Sequence, residues 1–496
     1  MHGSKYGKHS VFLPFQLDRL GSAPLQDQLL ERLREMIVSG QLKPNSRVIG
    51  TRFLAEQTGV SRTTALLAYE RLISEGYLET RPGVGTFVSS AIPEGCVAAS
   101  EPVPSDHSER QARLRPVIFQ GRHNSHSGRT GGHYDFRSAC SDGSELLPPK
   151  VVLRKMRDVL EKHPHGFAVP PPPGGIEELK RAIVDHLATT RGLMTAPEQV
   201  IVVLGRRQAC SLVAHLFQRR GDRVIIECPT DEDTVAFFET RDAALVSVPV
   251  DENGLDTDRL PEGPAALAYV TPARQNPLGG ILPLARRERL ISWAREAGAY
   301  IIEDDCDAVF HYRGAAPPPI AALDPYGLVF YTGSYAKTLG AGVGLGYLVV
   351  PSEFVEPVLA LKKMSQDECS WLEQALVAEL MSGGEYGHHL RRLRKTYLER
   401  RDSMIEALTR HFGTVSLMGT EAGTQLTWLL PERFPPAQAV CALARSREIN
   451  LQWLRNPPAA VNSSYRLCDR ALILGYAGVS GAQIRDGIRS LAGLLS

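Results

Sequence analysis

Residues 327–337 read GLVFYTGSYAK: an apolar run, Gly327-Leu-Val-Phe-Tyr331, then a small polar turn that ends on Lys337. A short apolar run bounded by glycine and a polar turn is the pattern of a strand buried on both faces. The pattern recurs upstream at 299–302 (AYII), 266–270 (ALAYV), 223–226 (RVII) and 199–204 (QVIVVL). Amphipathic stretches such as 284–297 lie between these runs. Strands that alternate with helices imply a parallel α/β sheet covered on both faces. Polar residues at the carboxyl ends of such strands stand where open α/β sheets place their ligands.

The alternation runs from residue 134 to the end. Its last part, about 365–496, combines a long basic helix over 388–401 with a few strands, the texture of a smaller α/β subdomain. Residues 90–133 read as a flexible linker of Ser, Arg, Pro and Gly. Histidines 107, 123, 126 and 133 fall in or beside it at irregular spacing, which does not suit a metal site. Residues 15–89 form a third region, helical and then turn-rich. Leu25, Leu29, Leu33 and Ile37 recur at helical spacing before Gly40. A short helix fits 51–58, another follows Ser61, and the segments about 77–80 and 85–88 around Arg81-Pro82-Gly83 read as a two-stranded wing.

Composition narrows the class. No run of about 18 apolar residues occurs, and the first residues lack the apolar core of a signal peptide, so a cytoplasmic protein is expected. Eight cysteines without a CxxC pair read as reduced thiols rather than a disulfide scaffold. The net charge of +1 covers a mildly basic front end and a mildly acidic body, which permits nucleic-acid binding without arguing for it.

The front region carries chemistry suited to DNA. Two helices joined through Thr58-Gly59-Val60 put the second in the place of a recognition helix. Its first turn, Ser61-Arg62-Thr63-Thr64, offers an arginine and short polar donors at a helix N-terminus, which suits phosphates and base edges. Arg52 opens the preceding helix, and Arg81 with Gly83 and Gly85 forms a tight wing. The stretch from PLQDQLLERLREMIVSGQL through TRFLAEQTGVSRTTALLAYERLISEGYLETRPGVGTFV resembles the GntR-type winged helix-turn-helix. That resemblance implies that Arg52, Arg62, Thr63 and Arg81 meet DNA, with Ser61, Thr64 and Gly83 in the same surface. One departure is Ile49-Gly50 before Thr51-Arg52, where the family usually has Pro-Ser.

In the body, four strand ends fit a pyridoxal phosphate site. Lys337 suits covalent attachment of an aldehyde, with Ser334 in the same turn. Asp304, after the 299–302 run, suits a protonated pyridine nitrogen, and Asn276 in Gln275-Asn276-Pro277-Leu278-Gly279 a phenolic oxygen. Gly205-Arg206-Arg207-Gln208 leads from a strand into a helix whose N-terminus suits a phosphate. The run Gly340-Ala-Gly342-Val-Gly344-Leu-Gly346 does not open a helix after a strand, so it is read as a flexible or tightly packed turn rather than a nucleotide loop. With IIEDDCDAVF, VTPARQNPLGG, GHHLRRLRKTYLERRD and LILGYAGVS, this region resembles fold-type I aminotransferases. Joined to the front domain, the chain resembles the MocR family of bacterial transcription regulators. The resemblance implies pyridoxal 5′-phosphate as cofactor, Lys337 as its internal aldimine, Asp304 on the pyridine nitrogen, and a homodimer.

Several positions depart from that family. Cys306 replaces the tyrosine two residues after the aspartate. Asp231, in Glu227-Cys228-Pro229-Thr230-Asp231, replaces a ring-stacking tyrosine, and Phe167 replaces another tyrosine. Gly344 stands where a phosphate-binding arginine is usual, while Arg206 and Arg207 occupy loop positions that are usually small and Gln; one of them is expected to supply the missing guanidinium. Arg470 is the candidate for an effector carboxylate, with Arg466 a second. The expected function is a DNA-binding regulator whose aminotransferase-like domain senses an amino compound or the cofactor itself. The alternatives are a working aminotransferase with an accessory DNA-binding domain, or a regulator with a degenerate pocket.

Overall fold

The computed structural model describes residues 17–19, 23–90, 133–137, 147–305, 307–365, 369–454 and 466–495. The expectations for the linker over 91–132, for Cys306 and for the side chain of Arg466 lie outside the described residues. The chain divides into two compact units, residues 1–118 and 119–496.

In the first unit, α1 (Leu25–Val38), α2 (Thr51–Thr58) and α3 (Arg62–Ser74) precede an antiparallel pair, β1 (Leu78–Arg81) and β2 (Gly85–Val88). Leu29, Leu33, Met36 and Ile37 make one buried stripe along α1, as a 3.6-residue period requires. They close a core with Leu54 of α2 and Ala65, Ala68 and Leu72 of α3. At roughly 1.5–3 kcal/mol per buried leucine, this stripe holds the three helices together. The wing is larger than the expected two strands. Val48 donates its N–H to the Thr86 carbonyl and Val88 donates its N–H to the Ser46 carbonyl, so residues 46–48 run beside β2.

The second unit is built on an eight-stranded sheet. After β3 (Tyr134–Asp135) come β4 (Val200–Val203), β5 (Arg223–Cys228), β6 (Ala244–Asp251), β7 (Gly254–Leu255), β8 (Leu267–Val270), β9 (Tyr300–Asp304), β10 (Val329–Ser334) and β11 (Gly346–Val349). The spatial order is β4-β11-β10-β9-β8-β5-β6-β7. Strands β10, β9, β8, β5 and β6 pair in parallel. The expectation of a parallel sheet fails at β11, which is antiparallel to both β10 and β4, and at β7 on the edge. Strand β11 begins inside the glycine-rich stretch read as a turn. A Cβ on Gly346 would lie 2.7 Å from the Gly333 carbonyl and 3.0 Å from Gly205 Cα, so only glycine lets this strand pass between them.

Side chains of β5 alternate between two cores. Val224 and Ile226 pack with Leu212, Val213 and Phe330, while Ile225 packs with Leu290, Ile291 and Ile301. Helices therefore cover both faces, which is why the strands read as continuous apolar runs. Strands β4, β5, β8, β9 and β10 all point the same way, and their carboxyl ends share one edge of the sheet.

The basic helix expected at 388–401 extends over Glu385–Phe412. It packs on a small antiparallel sheet of β12 (Ser416–Met418), β13 (Gln425–Leu429), β16 (Ala471–Gly475) and β15 (Gln452–Trp453) around fully buried Trp428. Strand β14 (Ile449–Asn450) pairs with β3, so residues 134–135 belong to this lobe. Among the described residues, no helix is long and apolar enough to cross a membrane.

Candidate functional site

At the start of α3, Ser61 is the N-cap: its Oγ accepts the Thr64 N–H at 3.0 Å and lies 2.8 Å from Thr64 Oγ1. Ser61 and Thr64 thus serve the helix end, and Arg62 and Thr63 are exposed in the same turn. Arg52 is exposed on the first turn of α2. Arg81 is not a free cation. Its guanidinium bonds Glu79 at 2.5 Å and Asn45 at 3.1 Å and lies 4.4 Å from the Phe87 ring centroid, which ties it to the wing. Gly83 has a positive φ at the open tip of the turn. Arg47, which no helical or strand pattern marked, runs across Gly85, where a Cβ would meet its Nε at 2.8 Å.

In the second unit, the carboxyl edge gathers the expected residues. Thr332 of β10 lies in register with Asp304 of β9, so the lysine and the acid leave adjacent strands. The Lys337 ammonium meets Asp307 Oδ1 at 2.5 Å, and the lysine side chain is about one-third exposed (35%). Burial pushes the Asp307 carboxyl up, but the charges of Lys337 and Arg274 outweigh it and hold the group below its ordinary value. Ser334 Oγ accepts the Ala336 N–H at 3.2 Å and so shapes the turn before the lysine.

Asn276 follows β8 in a segment anchored from two sides. Its Oδ1 accepts from Gln425 Nε2 at 3.3 Å, and its N–H donates to Thr271 Oγ1 at 3.1 Å. Thr271 donates in turn to Glu227 at the end of β5, and burial pushes that carboxyl up to about 7. Arg274, in the same segment, is buried and gives its guanidinium to the carbonyls of Ala422 and Gln425, each at 2.8 Å. It fastens the segment to the C-terminal lobe behind Lys337.

Gly205 (φ 121°) turns β4 into the helix Arg206–Phe217, the geometry expected of a phosphate-binding helix start. The two arginines do not stand there as expected. Arg207 is exposed and paired with Asp233 at 2.6 Å. Arg206 turns its guanidinium onto Asp231 at 2.7 and 3.1 Å and onto the Tyr269 hydroxyl at 3.1 Å, and it lies 3.6 Å from Asp304 Oδ2. Asp231 also caps the helix Glu232–Glu239 by accepting the Thr234 N–H. Its carboxyl is pushed up by burial, yet Arg206 and Thr234 bring it below its ordinary value. Buried Tyr269 donates to Asp304 at 2.5 Å. Phe167 is exposed with its ring edge toward Trp371, and Gly344 has an αL conformation in open space.

Arg470, the candidate for an effector carboxylate, is engaged with backbone carbonyls. Its Nε and Nη1 donate to the carbonyls of Leu430 and Phe434, each at 3.0 Å, and Nη2 donates to Pro431. It pins the turn after β13. Tyr269, Asp307 and Arg274 were missed at the sequence level. The first sits in a fully buried strand without alternation, and the other two lie in loops whose partners are distant in sequence.

Residues 25–88 match the model of bacterial regulatory proteins of the gntR family, and 137–468 match aminotransferase class I and II. The chain is 31% identical over 488 residues to the probable rhizopine catabolism regulatory protein MocR of Rhizobium meliloti, covering 96% of this chain and 94% of that protein. It is 29% identical to the pyridoxine biosynthesis transcriptional regulator PdxR of Corynebacterium glutamicum, over 80% of this chain and 81% of that one. Among solved structures, it is similar to an archaeal alanine:glyoxylate aminotransferase with a TM-score of 0.65 and 26% identity, covering 73% of this chain and 90% of the other. With a gntR-type helix-turn-helix ahead of an aminotransferase class I and II unit, and that similarity across nearly its whole length, the chain belongs to the MocR family of transcription regulators.

Proposed function

We propose that this protein is a DNA-binding transcription regulator whose aminotransferase-like unit holds pyridoxal 5′-phosphate through Lys337 and senses an amino compound or the cofactor itself. One observation carries this reading. Asp304 ends β9, and Lys337 and Asn276 follow its neighbours β10 and β8, in a chain that also presents Arg62 and Thr63 at an exposed helix start. DNA contact through α3 fits its capped first turn, where an arginine and a hydroxyl face outward.

The residues fit the cofactor at its reactive end. Lys337 is accessible beside a carboxylate, and Asp304 is a buried acid on the adjacent strand. When bound, the cofactor supplies an aldehyde that condenses with amines and a ring that withdraws electrons. Lys337 would hold the aldehyde end, Asp304 the ring nitrogen and Asn276 the phenolic oxygen. The Gly205 turn and the helix start after it would hold the phosphate. Asp307, 2.5 Å from Lys337 Nζ, would orient the amine toward the aldehyde end.

Sensing is favoured over turnover because Arg470, the expected grip on a substrate carboxylate, is already bonded to three backbone carbonyls. An effector bound at Lys337 would bias the protein between two arrangements with different DNA affinity. Sites of this fold type form between two subunits, so we place the working state as a homodimer.

The test uses the purified full-length protein and its Lys337→Ala variant, each mixed with pyridoxal 5′-phosphate and with DNA from upstream of its own gene. We expect a visible absorption band in the parent only and a mobility shift of the DNA by both proteins. A parent without the band rejects the cofactor, and a parent that shifts no DNA rejects the regulator.

A further inference from the structure

The guanidinium of Arg206 does not face the helix start that its position in sequence suggests. It lies among four groups from three other elements: Asp231 and Thr234 at the start of the helix Glu232–Glu239, Tyr269 of β8 and Asp304 of β9. Asp231 grips it with both oxygens, at 2.7 and 3.1 Å. Asp304 Oδ2, 3.6 Å from the guanidinium, is the same atom that takes the Tyr269 hydroxyl at 2.5 Å. Asp304 is 4% exposed and Tyr269 fully buried, so solvent screens little of this charge.

A buried carboxylate requires a compensating charge or hydrogen bonds. In a site built for a protonated ring, the ring supplies that charge. Here the chain supplies it from within. We propose that Arg206 is an internal cation that competes with the ligand's ring nitrogen for Asp304, with Asp231 as its holder. The proposal rests on the reading that this site takes a pyridoxal ring.

Two features make Arg206 and Asp231 a matched pair. The helix cap fixes the Asp231 carboxylate, with the Thr234 N–H at 3.1 Å and the Thr234 hydroxyl at 2.6 Å, so it meets the guanidinium already oriented. An aromatic residue at 231 would leave the guanidinium without that counter-charge. A protonated ring nitrogen brought to Asp304 would also stand beside a like charge in a poorly screened place, so the ring binds well only after Arg206 withdraws. Ligand affinity is then reduced by the fraction of molecules in which Arg206 still occupies Asp304. Rings that carry no proton on nitrogen meet less opposition, which makes Arg206 a specificity-determining residue.

The test is a titration of the full-length protein with pyridoxal 5′-phosphate, followed by the visible band and by calorimetry. Two variants are compared with the parent: Arg206→Ala, and Arg206→Ala with Asp231→Asn. The double variant removes both charges and keeps a good helix cap, so it stands in if the single variant does not fold. Circular dichroism identifies the folded proteins. We expect the dissociation constant to fall at least tenfold in the folded variants. Unchanged affinity, with the parent band still dependent on Lys337, overturns the proposal and leaves the site reading intact. Weaker binding overturns it and makes Arg206 a ligand-holding residue. No binding by parent or variants overturns both.

Discussion

The ammonium of Lys337 and Oδ1 of Asp307 are 2.5 Å apart, and the second oxygen of Asp307 faces buried Arg274 at 3.5 Å. The carboxylate therefore sits between two cations, one accessible and one fully enclosed. This arrangement orients the lysine and also balances the arginine that ties the 271–279 segment to the C-terminal lobe.

Asp307→Asn removes the charge and leaves Arg274 buried without its counter-ion. Breaking a buried pair from one side typically costs several kcal/mol, and we expect about 3 kcal/mol here. A lower urea midpoint measures the loss. A midpoint equal to the parent's would mean that the carbonyls of Ala422 and Gln425 alone satisfy Arg274.

In the first unit, cap and contact separate. Ser61→Ala should cost about 1 kcal/mol of stability through the lost Thr64 bond, and Ser61→Asp should restore most of it. Arg62→Ala should leave the melting temperature unchanged and weaken binding to the DNA fragment by about 1–3 kcal/mol. Melting curves and mobility shifts on the same preparations read both effects, and equal DNA affinity in parent and Arg62→Ala would refute the contact.

His186 gives a pH dependence. Burial, then the charges of Arg394 and Arg191, pull its imidazole down to about 4 from the usual 6.5, and its ring lies edge-on to Tyr386. The folded protein therefore holds this histidine neutral while the unfolded chain takes up a proton. Its contribution is fully present above pH 6.5 and is lost as the pH falls through 4. The whole is worth about 3 kcal/mol, of which about 2 kcal/mol is gone at pH 5. Chemical denaturation at pH 7 and pH 5 should show a smaller drop for His186→Gln than for the parent, and an equal drop would remove His186 as its source.

Arg470→Ala separates a role at the turn after β13 from a role as effector ligand. Losing a guanidinium bound to the carbonyls of Leu430, Pro431 and Phe434 should destabilise the C-terminal lobe by about 2–3 kcal/mol. Affinity for pyridoxal 5′-phosphate and for amino compounds should stay that of the parent. A selective loss of affinity for amino acids, with stability retained, would return Arg470 to the effector site.

Much of the architecture was legible because its determinants are local. The stripe of Leu29, Leu33 and Ile37, the Ser61 cap and the stop at Gly59 lie within a few residues of what they control. The buried strands announced themselves as apolar runs, and Lys337, Asp304 and Asn276 fell at strand ends that could be counted along the chain. Residues 341–343 form the expected turn, but strand β11 was not legible, because its Gly346 serves a close passage against Gly205 and Gly333.

By itself, the sequence determined most of the helices and buried strands, and that Lys337, Asp304 and Asn276 stand at the carboxyl edge of the sheet. Those depend on periodicity, capping and chain order, all properties of neighbours in sequence. Only the tertiary structure decided the partners of those residues. Arg206 meets Asp231, Tyr269 and Asp304 because β8 lies between β5 and β9. Arg470 is drawn to the turn after β13 because β16 pairs with that strand. The direction of a long charged side chain follows the nearest opposite charge or open carbonyl, and strand order sets which of these is nearest.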